Sequence, residues 1–166
     1  MSYLNDLVEK HHPSWDGRTN EAGLALIKKY EGWRSKPYLC SAKRPTIGYG
    51  SCWDLDGNPV TLDHPSITKE QGEYLLKREV RHSEAAVRKL IKAEMTPNMF
   101  SSLVSFCYNV GSGNLQKSSL RMKMNRGQYL AAADELPKWR RALGKILPGL
   151  VRRRAEERRL FLDGYE

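Results

Sequence analysis

The chain has 166 residues, a net charge of +9 and 40% hydrophobic residues. That length suits one domain with a sizeable core and room for two lobes. The apolar content is too high for a disordered chain, and no apolar run approaches the about 20 residues that span a bilayer. The polar stretch from Met1 to Asn20 lacks the apolar centre of a signal peptide, so the chain is expected to be made in a cytoplasm and not to export itself by such a signal. A basic surface favours polyanions: nucleic acid, anionic lipid or an acidic wall. Cys40, Cys52 and Cys107 form an odd, sparse set without a C-x-x-C pair, which argues against a disulfide framework and a structural zinc site.

Residues 1–20 read as a loosely attached extension, with one helical turn around Leu4 to Val8. His11 and His12 are adjacent rather than spaced for one helix face, the pattern of a polar tail. The first helix is predicted over Glu21 to Glu31, with Asn20 as N-cap and Gly32 as C-cap. Tyr38-Leu39-Cys40 and Thr46-Ile47-Gly48-Tyr49-Gly50 read as short strands joined by a turn. A second turn, Asp56-Gly57-Asn58-Pro59, leads into Val60-Thr61-Leu62, so two or three strands are expected. Thr68-x-x-Gln71 is a capping box that opens a helix to about Lys92. Thr96-Pro97 opens another, Asn98 to Val110, apolar on most sides and hence buried. Shorter helices are predicted near Ser118 to Asn125, Gln128 to Leu136 and Leu150 to Leu162. The order predicts an α+β fold, with a β-lobe over about residues 35–65 and a helical lobe over about 68–166.

Leu24, Ile27 and Glu31 share one side of the first helix by their i, i+3, i+7 spacing. A carboxyl closing an apolar stripe at the negative end of a helix dipole is expected to keep its proton. A protonated acid is what glycosidic-bond cleavage needs, because the leaving oxygen must be protonated. The plain alternative is a glutamate turned to solvent. A tight turn would set Cys40 beside Thr46, facing back toward the helix end. An acid, a base or nucleophile, and a hydroxyl to hold a water would make a hydrolytic centre. Cys40 as a small buried residue and Thr46 as a strand former are the ordinary readings. Cys52 shares a strand face with Thr46 by period-2 counting, either lining a cleft near Cys40 or packing internally.

Glu31-x8-Cys40-x5-Thr46 resembles the catalytic triad of the phage-type lysozymes, glycoside hydrolase family 24, written Glu, eight residues, Asp or Cys, five residues, Thr. The stretch from Gly23 to Gly32 resembles that family's first helix. Pro37-Tyr38-Leu39-Cys40 with Thr46-Ile47-Gly48-Tyr49-Gly50 resembles its hairpin, and Leu103 to Gly111 its buried helix. Ser119-Leu120, Pro137-Lys138-Trp139 and Leu147 to Glu156 resemble its C-terminal half. Two positions depart from the pattern: Lys43, where the family usually has glycine, and Ser51, where it often has histidine. A non-glycine at Lys43 carries a cost if that turn needs positive φ.

The resemblance implies a lysozyme-like fold spanning residues 21–166 as one catalytic domain. It also implies hydrolysis of the β-1,4 bond between N-acetylmuramic acid and N-acetylglucosamine in peptidoglycan, with Glu31 as the acid. Inversion is expected, by a water held by Thr46 and Cys40. Direct attack by a Cys40 thiolate is the rival route, and Arg34, Lys36, Lys43 and Arg44 nearby in sequence would favour ionisation of the thiol. Tyr108, Asn109 and Ser119 are candidate substrate contacts, with Cys52. Oxidation in the periplasm is expected to silence the enzyme if Cys40 and Cys52 lie close. No cofactor and no metal are implied. The expected setting is a monomer made in the host cytoplasm and admitted to the periplasm and wall by a holin.

Val151-Arg152-Arg153-Arg154-Ala155-Glu156-Glu157-Arg158-Arg159 is the densest charge run. It reads as a surface helix docked through Val151, Ala155 and Leu162, with Arg152–Glu156 and Arg153–Glu157 pairs. Its functional reading is attraction to the anionic outer membrane or wall, and nucleic acid is not implied. The rivals are a nucleic-acid-binding module, a cysteine hydrolase using Cys40 with His64 or His82, and a lytic transglycosylase, which needs the acid but no held water.

Overall fold

The computed structural model describes residues 15–165. The turn predicted around Leu4 to Val8 and the His11–His12 pair lie outside the described residues. Described elements run α1 (Glu21–Glu31), β1 (Arg34–Leu39), β2 (Pro45–Gly48), α2 (Lys69–Leu90), α3 (Pro97–Val110), α4 (Ser112–Lys117), α5 (Ser119–Asn125), α6 (Tyr129–Ala133), a 3-10 turn (Leu136–Lys138), β3 (Arg141–Ala142), β4 (Lys145–Ile146) and α7 (Pro148–Leu162). This is the α+β arrangement: one two-stranded antiparallel sheet early in the chain, and helices after it that are interrupted by a second short hairpin, β3–β4. The chain divides into two compact units, Lys28–His82 and the remainder. Among the described residues no helix is long and apolar enough to cross a membrane.

The Lys28–His82 unit is built on the β1–β2 hairpin, paired Tyr38 to Thr46 and Leu39 to Pro45. Its core is Ile47, Val60, Ile67 and Leu75, with Trp33 packed against them. Gly72 in α2 exists to admit that indole: a Cβ there would sit 2.2 Å from the Trp33 ring. Thr68 and Gln71 form the reciprocal capping box, Gln71 N–H donating to Thr68 Oγ1 at 3.1 Å and Thr68 N–H to Gln71 Oε1 at 2.9 Å. Beyond β2 the third strand reduces to isolated bridges, Ile47 with Ser51 and Trp53 with Pro59. Pro59 has no N–H to extend a ladder, and positive φ at Gly48 and Gly50 ends β2 early.

In the other unit, α3 is the buried centre, with Met99, Phe100, Leu103, Val104 and Phe106 all inaccessible. Thr96 caps it by accepting from Met99 N–H, and Pro97 follows in the first turn. Asn20 caps α1 by accepting from Gly23 N–H at 3.0 Å. Residues 15–20 are fixed to this unit: Thr19 donates to Glu84 at 2.8 Å, and Trp15 meets Phe100 edge-on. The helix predicted from Gln128 to Leu136 is divided, because Pro137 lacks an N–H and restricts Leu136, leaving α6 and a separate 3-10 turn. Two elements were not foreseen. One is α4, begun by Gly111 at φ +87, and the other is the β3–β4 hairpin.

The face by which α7 packs differs from the expected stripe. Val151 and Ala155 are exposed, while Arg153, Arg154, Glu157 and Phe161 are buried. The reason is polar complementarity with α3. Ser105 Oγ donates to Glu157 Oε1 at 2.8 Å, Ser102 Oγ donates to the Glu157 carbonyl at 2.6 Å, and Arg153 donates to the Ser105 carbonyl at 3.1 Å. Arg153 and Arg154 reach Glu157 at 3.2 and 3.0 Å, and Arg154 lies over the Phe106 ring. The predicted Arg153–Glu157 pair therefore forms, but inside the unit rather than on its surface. Burial pulls the Arg154 guanidinium down to about 10 against the opposing pull of Glu157. Burial pushes the Glu157 carboxyl up, against both arginines.

Candidate active site

Glu31, Cys40, Thr46 and Cys52 all belong to the Lys28–His82 unit. Glu31 is the last residue of α1. Gly32 at φ +74 then turns the chain out of the helix, its N–H bonded to the Lys28 carbonyl at 3.0 Å. Glu31 is half-buried, and its carboxylate lies over Gly50, where a Cβ would stand 3.2 Å from Oε2. The turn Gly48-Tyr49-Gly50 is closed by two Ile47–Ser51 backbone bonds, so the helix-end carboxylate and the sheet meet at this turn.

Cys40 follows β1 and Thr46 lies within β2. The connecting turn is closed by Cys40 N–H to the Arg44 carbonyl at 3.0 Å and Lys43 N–H to the Cys40 carbonyl at 2.8 Å. Lys43 occupies it at φ +57, so the positive-φ cost expected of a non-glycine there is present. The Cys40 thiol is held below the ordinary thiol range. The first cause is the backbone hydrogen bond from Arg44, then the Thr46 hydroxyl, with a further backbone bond from Ala42; partial burial opposes them. The sequence pointed to neighbouring cations for this effect, whereas the folded turn supplies its own amides.

Thr46 is buried and central. Its hydroxyl donates to the Arg44 carbonyl at 2.9 Å and lies 3.8 Å from Cys52 Sγ. It carries one hydrogen. While Cys40 is a thiol, that hydrogen serves Arg44, and the oxygen is left to accept. When Cys40 ionises, the hydroxyl can turn toward the sulfur. Cys52 shares the sheet face of Thr46, on the side away from β1. Both thiols are free.

Tyr38 was not singled out from sequence. Its phenol is pushed up chiefly by burial; Arg34 opposes, and Glu31, Cys40 and Cys52 add to the rise. One half-buried ring thus senses the carboxylate and both thiols. Arg34 stacks on it with 4.7 Å to the ring centroid. The available signal was its place two residues before Cys40, on the same strand face.

Tyr108, Asn109 and Ser119 lie in the other unit. Tyr108 is half-buried and Asn109 exposed in the last turn of α3. Arg154 donates to Asn109 Oδ1 at 2.7 Å, which leaves the amide nitrogen of Asn109 as the outward donor. Ser119 is exposed at the start of α5, and the capping role falls to Ser118, which accepts from Arg121 N–H at 3.1 Å. His64 Nδ1 is engaged with the Pro65 carbonyl at 2.7 Å, and no Cys–His hydrogen bond occurs among the described residues. No group of three or more His, Cys, Asp or Glu side chains is gathered for a metal among the described residues.

An α+β chain whose first helix ends on a glutamate against a thiol- and hydroxyl-bearing hairpin is lysozyme-like. Residues 28–157 match the phage lysozyme family. The endolysin of Bacillus phage B103 is 42% identical over 147 residues, 87% of this chain and 54% of that protein. This chain therefore spans about half the length of that relative. The solved endolysin from Escherichia coli O157:H7 phage FAHEc1 superposes with a TM-score of 0.80 at 37% identity, covering 88% of this chain and 94% of that one. The muramidase domain of SpmX from Asticaccaulis excentricus gives a TM-score of 0.76 at 32% identity, covering 87% and 97%. The chain belongs to the phage lysozyme family.

Proposed function

We propose that this chain is an endolysin that hydrolyses the β-1,4 bond between N-acetylmuramic acid and N-acetylglucosamine in bacterial peptidoglycan. The observation that carries the reading is the Glu31 carboxylate set over Gly50, in the turn that follows the strand of Thr46, with Tyr38 influenced by both Glu31 and Cys40. Glu31 delivers its proton to the glycosidic oxygen as the bond breaks, and positive charge develops at the muramyl anomeric carbon. A water lodged against Thr46 attacks that carbon from the opposite face. The water donates one hydrogen to Thr46 Oγ1, whose own hydrogen is turned toward the Cys40 thiolate. Its second proton passes to Cys40, whose thiolate form is favoured by the hydrogen bonds of its turn. Tyr108, Asn109, Ser119 and Cys52 are assigned to substrate contact.

The lowered Cys40 pKa also favours a second reading, in which the thiolate itself attacks the anomeric carbon. That route retains configuration, whereas water attack inverts it. Proton NMR of the fresh product anomer separates them. A lytic transglycosylase would leave an anhydro product lighter by one water.

In its biological setting the chain acts as a monomer, reaches the wall after a holin opens the inner membrane, and meets anionic envelope surfaces through its basic exterior. The deciding experiment is lysis of outer-membrane-stripped cells, followed by turbidity. Glu31→Gln is expected to lose at least about 100-fold in rate. Wild-type lysis by Glu31→Gln would overturn the assignment.

A further inference from the structure

The β3–β4 hairpin is joined by Leu143 and Gly144, both at positive φ, +50 and +77. That is the two-residue turn which asparagine and glycine normally occupy. Leucine is a poor choice for it, and nothing in the fold compensates: Leu143 is 102% exposed, with no neighbour to pack on. Ile146, Leu147 and Val151 continue the apolar surface at 45%, 40% and 41% exposure. Around this tip stand Arg140, Arg141, Lys145 and Arg152, all exposed. None of the four has an acidic partner among the described residues.

We propose that this hairpin docks the chain on an anionic lipid bilayer, with Leu143 entering the hydrocarbon and the four cations meeting headgroup phosphates. Glycan strands offer no apolar phase for a fully exposed leucine at a strained turn. A bilayer offers one a few ångströms beneath a layer of negative charge, the arrangement of apolar tip and basic base seen here. The proposal builds on the anionic-surface reading above but moves the contact away from the α7 run, where Arg153 and Arg154 are buried.

The test is sedimentation of the full chain with vesicles of phosphatidylglycerol and phosphatidylethanolamine, beside vesicles of phosphatidylcholine alone. Wild type is expected to partition onto the anionic vesicles only. Leu143→Gly relieves the backbone strain, so it keeps or raises the melting temperature while losing about tenfold in partitioning. Replacing Arg140, Arg141 and Lys145 together by glutamine removes the salt-sensitive part of binding. Release of fragments from purified, lipid-free peptidoglycan stays unchanged in Leu143→Gly. Equal binding by Leu143→Gly, or equal binding to both vesicle types, overturns the hairpin assignment. A parallel loss on lipid-free peptidoglycan does so as well, since the tip would then serve the wall. If no variant and no wild type binds anionic vesicles, the broader anionic-surface reading fails too.

Discussion

The carboxylate of Glu31 rests on Gly50, with Oε2 3.2 Å from the point where a side chain at position 50 would begin. Gly50 also holds φ at +90, a conformation other residues resist. Gly50→Ala is therefore expected to push the carboxylate aside and to strain the turn. Lysis rates should fall by roughly 10-fold with little change in KM, because the carboxylate must give by a few tenths of an ångström and misplacing a reacting group lowers the rate. Steady-state kinetics on soluble peptidoglycan fragments checks it, with circular dichroism to show that the fold is kept.

The two thiols with shifted pKa values move in opposite directions. Cys40 is lowered by the amides and hydroxyl of its turn, whereas burial raises Cys107 against a hydrogen bond with Ser83. A lowered thiol is ionised at a lower pH, so iodoacetamide should label Cys40 at a lower pH than an ordinary thiol needs and leave Cys107 untouched. Mass spectrometry locates the label, and lytic activity should fall with Cys40 occupancy. In parallel, Cys40→Ser should lose most activity while Cys107→Ser keeps it.

Lys43 carries a left-handed backbone in the Cys40–Arg44 turn. Lys43→Gly is expected to stabilise the protein by about 1 kcal/mol, raising Tm by about 2–4 °C for a chain of this size. A thermal melt followed at 222 nm reads it.

Glu135 is a buried acid held below the usual carboxylate range by hydrogen bonds from Lys123 and Lys138. A lowered acid stabilises the fold above its unfolded pKa, and that stability is lost as pH falls through the lower folded value. Glu135→Gln should therefore cost about 1 kcal/mol at pH 7 and make stability less dependent on pH in the acid range. Urea melts at pH 7 and pH 3 decide it: equal losses at both would sink the argument.

The legible parts of the fold were those written in local chemistry. Asn20, Thr68 with Gln71, Thr96 with Pro97, and Gly32 each act at the helix end where their side chains or backbone freedom place them. The hairpin after Glu31 was legible too, although its register sets Thr46 opposite Tyr38 and leaves Cys40 hydrogen-bonded to Arg44. What stayed hidden depended on distant partners. The buried charges of α7 require the serines of α3, about 50 residues away in sequence, and no periodicity of α7 alone reveals them. Tyr38 likewise gains its place only once Glu31 and the hairpin come together. Leu143 in a turn position suited to asparagine disguised the β3–β4 hairpin.

The sealed charges of α7 also constrain how this sequence can drift. Losing Glu157 alone takes from both arginines their shared buried carboxylate, and losing Arg154 alone leaves the acid underpartnered; either step costs about 3–5 kcal/mol, while a joint swap to well-packed apolar residues can be nearly neutral. Descendants lacking one member should therefore lack its mates as well. Because Asn109 takes its hydrogen bond from Arg154, such lineages would have to find another way to hold that amide, so the inheritance of a surface asparagine is tied to a decision made in the interior.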